Sequence, residues 1–277
     1  MPAASAERHI TAFLDGEDSP DVLNPIHSTA VATQYGFRGA LVGGVTTYGW
    51  MAPAILEALG ERWLEDGWAD VSFRRPIFPG DELVAHADAA SDGSCDVAMV
   101  NQDGERCIAG SVGLGKAAWL DDIYVPGRRD AEPRPGALPY LTMANAPLGD
   151  DLRPLAVPLS HEDHVAWMWQ KQHDDSPFWT QPGARVHPGW LAGRMTPLLH
   201  HSYDYSPSIH TRSQIQHLAP ATSGQTFVFA GHFADAFERK GHHYAVIDGV
   251  MLGEDGRELA RLRHTTIFRV ANRAASD

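Results

Sequence analysis

The same order of local signals occurs twice along this chain, at a nearly constant offset, and that repetition limits what it can fold into. In each half a polar, proline-containing loop precedes a small-residue turn. An apolar run long enough for a buried helix follows, and then four strand-length segments. The offsets are 152 residues from Asn24 to Ser176, 145 from Gly44 to Gly189, 144 from Pro76 to Pro220, and 152 from Asp103 to Asp255. Four separate signals that agree within loop-length variation point to one unit present twice. A length of 277 residues gives each copy an ordinary domain size.

In the first half, Asn24-Pro25-Ile26-His27 lies in the polar loop, and a glycine-rich stretch runs from Gly36 to Gly44. From Val45 to about Trp63 the chain is apolar almost all round, as a helix enclosed by a sheet would be. Strand-like runs follow at Ala69 to Arg74, Glu82 to Ala87, Cys95 to Val100 and Arg106 to Val112. In the second half, Ser160 caps an expected helix from His161 to Gln170, with Asp163 placed as in a capping box. The loop His173 to Pro177 leads to His187-Pro188-Gly189 and a helix to about His201. Strand-like runs then cover Ser213 to Leu218, Thr226 to Gly231, Tyr244 to Leu252 and Glu258 to Phe268. Between the halves, Lys116 to Pro158 carries seven prolines and reads as an extended connection. The expected fold class is α+β: one long buried helix per copy, at about 45–63 and 190–202, each wrapped by an antiparallel sheet. This is a double hot-dog, with residues 1–115 as the first copy, 116–158 as linker and 159–277 as the second.

Composition excludes several classes of function. The net charge of −13 repels phosphate backbones, and the densest basic stretches are only Arg128-Arg129 and Arg261 to His264, so a nucleic-acid partner is not expected. No apolar run reaches the ~18 residues of a membrane span, and Met1 to His9 does not have the form of a secretory signal. The two cysteines flank Asp103-Gly104. A two-residue hairpin there would put Cys95 opposite Val112 and Cys107 opposite Val100, which leaves the thiols apart and fits a reducing cytoplasm. With no CxxC spacing, and with paired histidines adjacent at 200–201 and 242–243, no metal site is expected.

Several strings carry a resemblance: Asn24-Pro25-Ile26-His27, Tyr35-Gly36-Phe37, Gly44 at the head of the apolar helix, Phe73-Arg74-Arg75-Pro76-Ile77, and Pro79-Gly80-Asp81. Together they resemble the MaoC-like dehydratases, a family that includes the (R)-specific enoyl-CoA hydratases. The likeness covers about Asp18 to Gly115, and about Leu159 to Val270 looks like a more divergent copy. It implies single or tandem hot-dog proteins acting on acyl thioesters, with an Asp–His pair that holds a water and a glycine N–H that receives charge on the thioester oxygen. Carried over by position, His27 matches the acid–base histidine, Asn24 the asparagine and Gly44 the oxyanion glycine. Two positions before Asn24 stands Val22 rather than Asp, with Asp21 one residue out of register, and Gly43 replaces a histidine. In the second copy Asp174 and Pro177 remain, while Ser176 and Trp179 replace the Asn and the His. Neither half therefore carries a complete Asp–His pair.

The expected activity is hydration of a 2-enoyl or dehydration of a 3-hydroxyacyl thioester, carried by CoA or acyl carrier protein, with no cofactor. Two alternatives stay open: a repurposed site for cyclisation, isomerisation or thioester hydrolysis, and a non-catalytic acyl-binding or partner subunit. Catalytic candidates are His27, Asn24, Asp21 and Gly44. Substrate-binding candidates are Gly43, Arg38, Arg74, Arg75, Asp174, Trp179 and His187, the arginines for carrier phosphates. The expected assembly is a monomeric pseudo-dimer or a homodimer in the cytoplasm.

Overall fold

A computed structural model describes residues 5–271, so Met1 to Ala4 of the segment weighed as a signal lie outside the described residues. Ten strands form one sheet. In the first half these are β1 (Ala6–Thr11), β2 (Gly67–Phe73), β3 (Glu82–Ala89), β4 (Cys95–Asn101) and β5 (Arg106–Leu114). In the second they are β6 (Leu155–Leu159), β7 (Ile209–His217), β8 (Gln225–Arg239), β9 (His242–Leu252) and β10 (Glu258–Arg269). Their order is β1-β3-β4-β5-β2-β7-β10-β9-β8-β6, and every neighbouring pair is antiparallel. Read outward from the centre, the two halves have the same order. The repeat is thus a structural repeat, and the double hot-dog expectation holds.

Alternation sends one set of side chains inward. Leu83, Ala85 and Ala87 on β3 and Cys95, Val97 and Met99 on β4 are buried, while their neighbours face out. The helices are α1 (Thr29–Ala32), α2 (Gly44–Gly49), α3 (Ala52–Leu59), α4 (Trp63–Asp66), α5 (His161–Lys171), α6 (Pro177–Thr180), α7 (Pro188–Ala192) and α8 (Met195–His200), and α2, α3, α4, α7 and α8 pack on the sheet. Ser160 caps α5 by accepting from Asp163 N–H, as its sequence predicts.

The single long helix expected in each copy is broken in both. Pro53 has no N–H to give Gly49, so the chain tightens at Met51, whose N–H bonds Tyr48 O at 3.0 Å. Pro197 does the same to Gly193, and Arg194 N–H bonds Leu191 O at 3.1 Å. The break is part of the repeat.

The hairpin at Asp103-Gly104 has a three-residue loop rather than two. Asn101 N–H bonds Glu105 O, and Gly104 takes φ +74°. Cys95 does pair with Val112, but a bulge after Met99 sets Val100 opposite Arg106, so Cys107 does not face Val100. Gly253, Gly256 and Arg257 repeat this loop in the second copy. Both cysteines are buried and free.

Strand β6 forms within the stretch read as connection and linker. The remainder of that stretch is bound to the second copy. Tyr124 N–H reaches buried Asp248, Asp151 pairs with His232 at 2.8 Å while also accepting from Gly127 and Arg128 N–H, and Leu152 N–H reaches Gly231 O. Among the described residues no helix is long and apolar enough to cross a membrane.

The two inner helices α2 and α7 cross at glycine. A Cβ on Gly189 would stand 2.9 Å from Val45 O and 3.0 Å from Gly49 Cα, so no side chain fits. Gly189→Val should cost about 1–3 kcal/mol through overpacking and lower the melting temperature by several degrees. An unchanged melting curve would show that the helices have room to separate.

Candidate functional site

The first-copy loop is held by one side chain. Asn24 Nδ2 donates to Ser208 O at 2.9 Å, and Asn24 Oδ1 accepts from Ser208 N–H at 3.1 Å, which anchors the loop to the second copy. Pro25 opens a 3₁₀ turn, Pro25–His27, and buried Ile26 beneath it accepts from Leu41 N–H. His27 is partly buried, with Nδ1 2.6 Å from Leu41 O. A carbonyl only accepts, so Nδ1 carries a hydrogen, and in the neutral ring the lone pair is on Nε2. Asn24 Nδ2 lies 3.3 Å from that Nε2 and can donate to it while still bonding Ser208.

His27 opens on a cavity of about 640 Å³ that both copies line. Asn24, His27, Gly43, Gly44, Arg74 and Arg75 come together in its wall. Gly44 begins α2, and a Cβ there would press within 3.3 Å of the Phe73 ring. Gly44 and Val45 both line the cavity, and among the described residues nothing accepts from either N–H, as expected for a helix start. Gly43 leaves room for the Asp15 carboxylate, which receives the Thr46 hydroxyl and pairs with Lys171 at 3.3 Å. Among the described residues the lining contains no aspartate or glutamate.

The other candidates lie elsewhere. Asp21 is exposed, and its N–H bonds Ser19 Oγ. Arg38 stacks 4.3 Å over Phe78 and pairs with buried Asp81, outside the cavity wall. Arg75, although in the wall, is exposed and pairs with Glu105 at 3.3 Å. Asp174 accepts Ser176 N–H as part of a turn.

In the second copy the corresponding space is filled. Trp179 stands 152 residues after His27, is 2% exposed, and meets the His187 ring edge-on at 4.6 Å. His187 Nδ1 caps α7 through Gly189 N–H, and His187 N–H reaches His164 Nε2. These groups hold a packed core together.

Sequence reading missed Ser208, His210, His242 and Tyr244, all cavity-lining residues from the second copy. The His210 ring lies 4.6 Å from Phe73 and 4.2 Å from the buried His264, with its Nε2 on Arg212 O. No local signal marks them, since strand order alone brings β7 and β9 to the first-copy loop.

The chain is similar in fold to several solved structures. A MaoC-like dehydratase aligns at 17% identity and TM-score 0.59, covering 96% of this chain and 98% of that one. A MaoC domain protein dehydratase of Chloroflexus aurantiacus aligns at 13% identity and TM-score 0.62, covering 97% and 96%. A conserved hypothetical protein of Mycobacterium tuberculosis, described as a double hotdog fold, aligns at 12% and TM-score 0.63, covering 96% of each chain. No family model matches the sequence, and no curated protein does. At these identities the likeness establishes the fold: the chain is a double hot-dog.

Burial of histidines makes its stability depend on pH. Burial pulls His164, His210 and His217 down to about 4, helped at His164 by His161. It holds His187 and His264 well below the usual imidazole range, with His164 and His210 as second causes. In the unfolded chain each titrates near ~6.5. Above that pH both states are neutral and stability is full. Between about 6.5 and 4 the unfolded chain binds protons that the folded chain refuses, costing up to about 1.4 kcal/mol per pH unit for each group. The melting temperature should be nearly flat from pH 8 to 7 and fall steadily from 6.5 to 4. Equal values at pH 7.5 and 5 would contradict this.

Proposed function

We propose that the chain interconverts 2-enoyl and 3-hydroxyacyl thioesters, with His27 carrying the proton. The observation behind this reading is the fixed tautomer of His27. Leu41 O holds the hydrogen on Nδ1, so a basic Nε2 faces the cavity whose wall also contains the free N–H groups of Gly44 and Val45. Two of the structures with this fold bear the name dehydratase.

With no carboxylate among the described lining residues, one base serves twice in this reading. In dehydration His27 Nε2 takes the α-proton, and the C–H pair shifts to leave negative charge on the thioester oxygen. Gly44 and Val45 N–H stabilise that oxyanion, while Leu41 O supports the imidazolium through Nδ1–H. The pair then returns to form the Cα–Cβ double bond as the β C–O bond breaks. The departing oxygen takes the Nε2 proton and leaves as water. Hydration is the reverse. Asn24 keeps His27 at this position by its bonds to Ser208. Arg74 and Arg75 at the cavity wall are available to carrier phosphates of CoA or acyl carrier protein. The same absence of a carboxylate favours one alternative on the same residues, double-bond isomerisation, in which Nε2 returns the proton to the γ-carbon.

Incubation with crotonyl-CoA and longer 2-enoyl-CoAs tests the reading through loss of enoyl absorbance. A shifted double bond among the products would select isomerisation, and no turnover at any length would reject both. His27→Ala should lower kcat/KM by about 10²-fold or more with an unchanged melting curve. Asp174→Asn, at a turn, should change it far less. Loss of activity in Asp174→Asn with His27→Ala intact would reverse the assignment.

A further inference from the structure

The two copies differ in length at two places, and both differences come to the same cavity. Between His27 and Gly43, the residue that precedes α2, lie fifteen residues, but only seven lie between Trp179 and His187, the residue that precedes α7. The extra stretch contains Tyr35, Gly36 and Phe37, all in the cavity wall. Between Phe233 and Ile247 lie thirteen residues, against five between their counterparts Ala89 and Cys95. That excess lengthens β8 and β9 to 15 and 11 residues, where β3 and β4 have 8 and 7. A bulge between Phe233 and Asp235 marks where the added arm leaves the shared pattern. On the arm Phe237 stacks on Tyr244 at 4.8 Å and 6°, and His242 and Tyr244 line the cavity.

Each insert is missing from the other copy, which builds the same strands and broken helix without it. The fold therefore requires neither. Their shared destination is the copy whose loop keeps His27, whereas the matching position in the other is packed with Trp179. What they add is mainly aromatic surface around a volume within the range, roughly 300–1,000 Å³, that encloses drug-sized ligands. A four-carbon acyl group would leave much of that surface against water.

We propose that the two inserts form the acyl-end wall of the cavity and select a long or ring-bearing apolar acyl group, with Tyr244 as the arm residue that contacts it. This rests on the thioester reading above. The test uses saturated butyryl-CoA and decanoyl-CoA, which bind but have no water to gain or lose, titrated calorimetrically against the full chain. Wild type should bind decanoyl-CoA at least about tenfold more tightly than butyryl-CoA. Tyr244→Ala should reduce that preference by about tenfold, and Tyr244→Phe should retain it. A chain with residues 234–246 replaced by the sequence of 90–94 should lose it as well. If that trimmed chain fails to fold, the two point variants decide. An equal preference in wild type and Tyr244→Ala overturns the proposal, as does equal affinity of wild type for both ligands. Chain-length-dependent binding without enoyl turnover would reject the reaction and keep the acyl wall. Turnover without length preference would do the opposite.

Discussion

The structure depends on the pairing of β2 with β7, which among the described residues is the one ladder that joins the two five-stranded halves. Trp68 to Ser72 run antiparallel to Gln216 to Arg212. Such a seam buries polar backbone at the centre of the molecule, so its hydrogen bonds have to be complete. Gln216, 2% exposed, helps complete them: Nε2 reaches the carbonyls of Gly67 and Gly115, and Oε1 accepts Ala117 N–H. Further along the same face Arg212 grips Asp70 with two nitrogens at 2.9 and 2.6 Å, and Gln214 adds a third bond to the same carboxylate. The glycine crossing of α2 and α7 lies on the inner side of this joint and sets how closely the halves can approach.

The cavity is a consequence of that joint. His27 belongs to the first copy, but its loop is anchored on Ser208, one residue before β7 begins. The strand that closes the sheet therefore also holds the imidazole in place. His210, two residues further on, forms the wall opposite Gly44, where a Cβ on the glycine would come within 3.6 Å of His210 Cβ. Neither half contains this site alone.

Duplication has left the two halves with different work. In the second copy Trp179, Trp167 and the histidines His164 and His187 pack as core where the first copy has its opening, with a helix cap made by an imidazole. The first copy keeps its opening because His27 is smaller than tryptophan and Gly43 and Gly44 carry no side chain. Residues added in each copy then enclose that one opening.

The sequence by itself determined the duplicated unit, the strands and their alternation, the helix starts and the loop that carries His27. All of these are written in local periodicity, caps and turn residues, which act over a few positions. It also contained both proline breaks, since Pro53 and Pro197 stand in the open, although apolar composition alone read through them as one helix. Strand β6 was hidden by prolines that only an edge strand tolerates, and Pro158 sits on such an edge. Tertiary structure decided the rest. That Arg38 is tied to Asp81 and that Trp179 packs against His187 depend on packing within one copy, whereas the make-up of the described cavity wall and the reach of Tyr244 into the other copy's opening depend on contacts across the seam. Those contacts link residues more than a hundred positions apart, a distance at which no periodic pattern carries information.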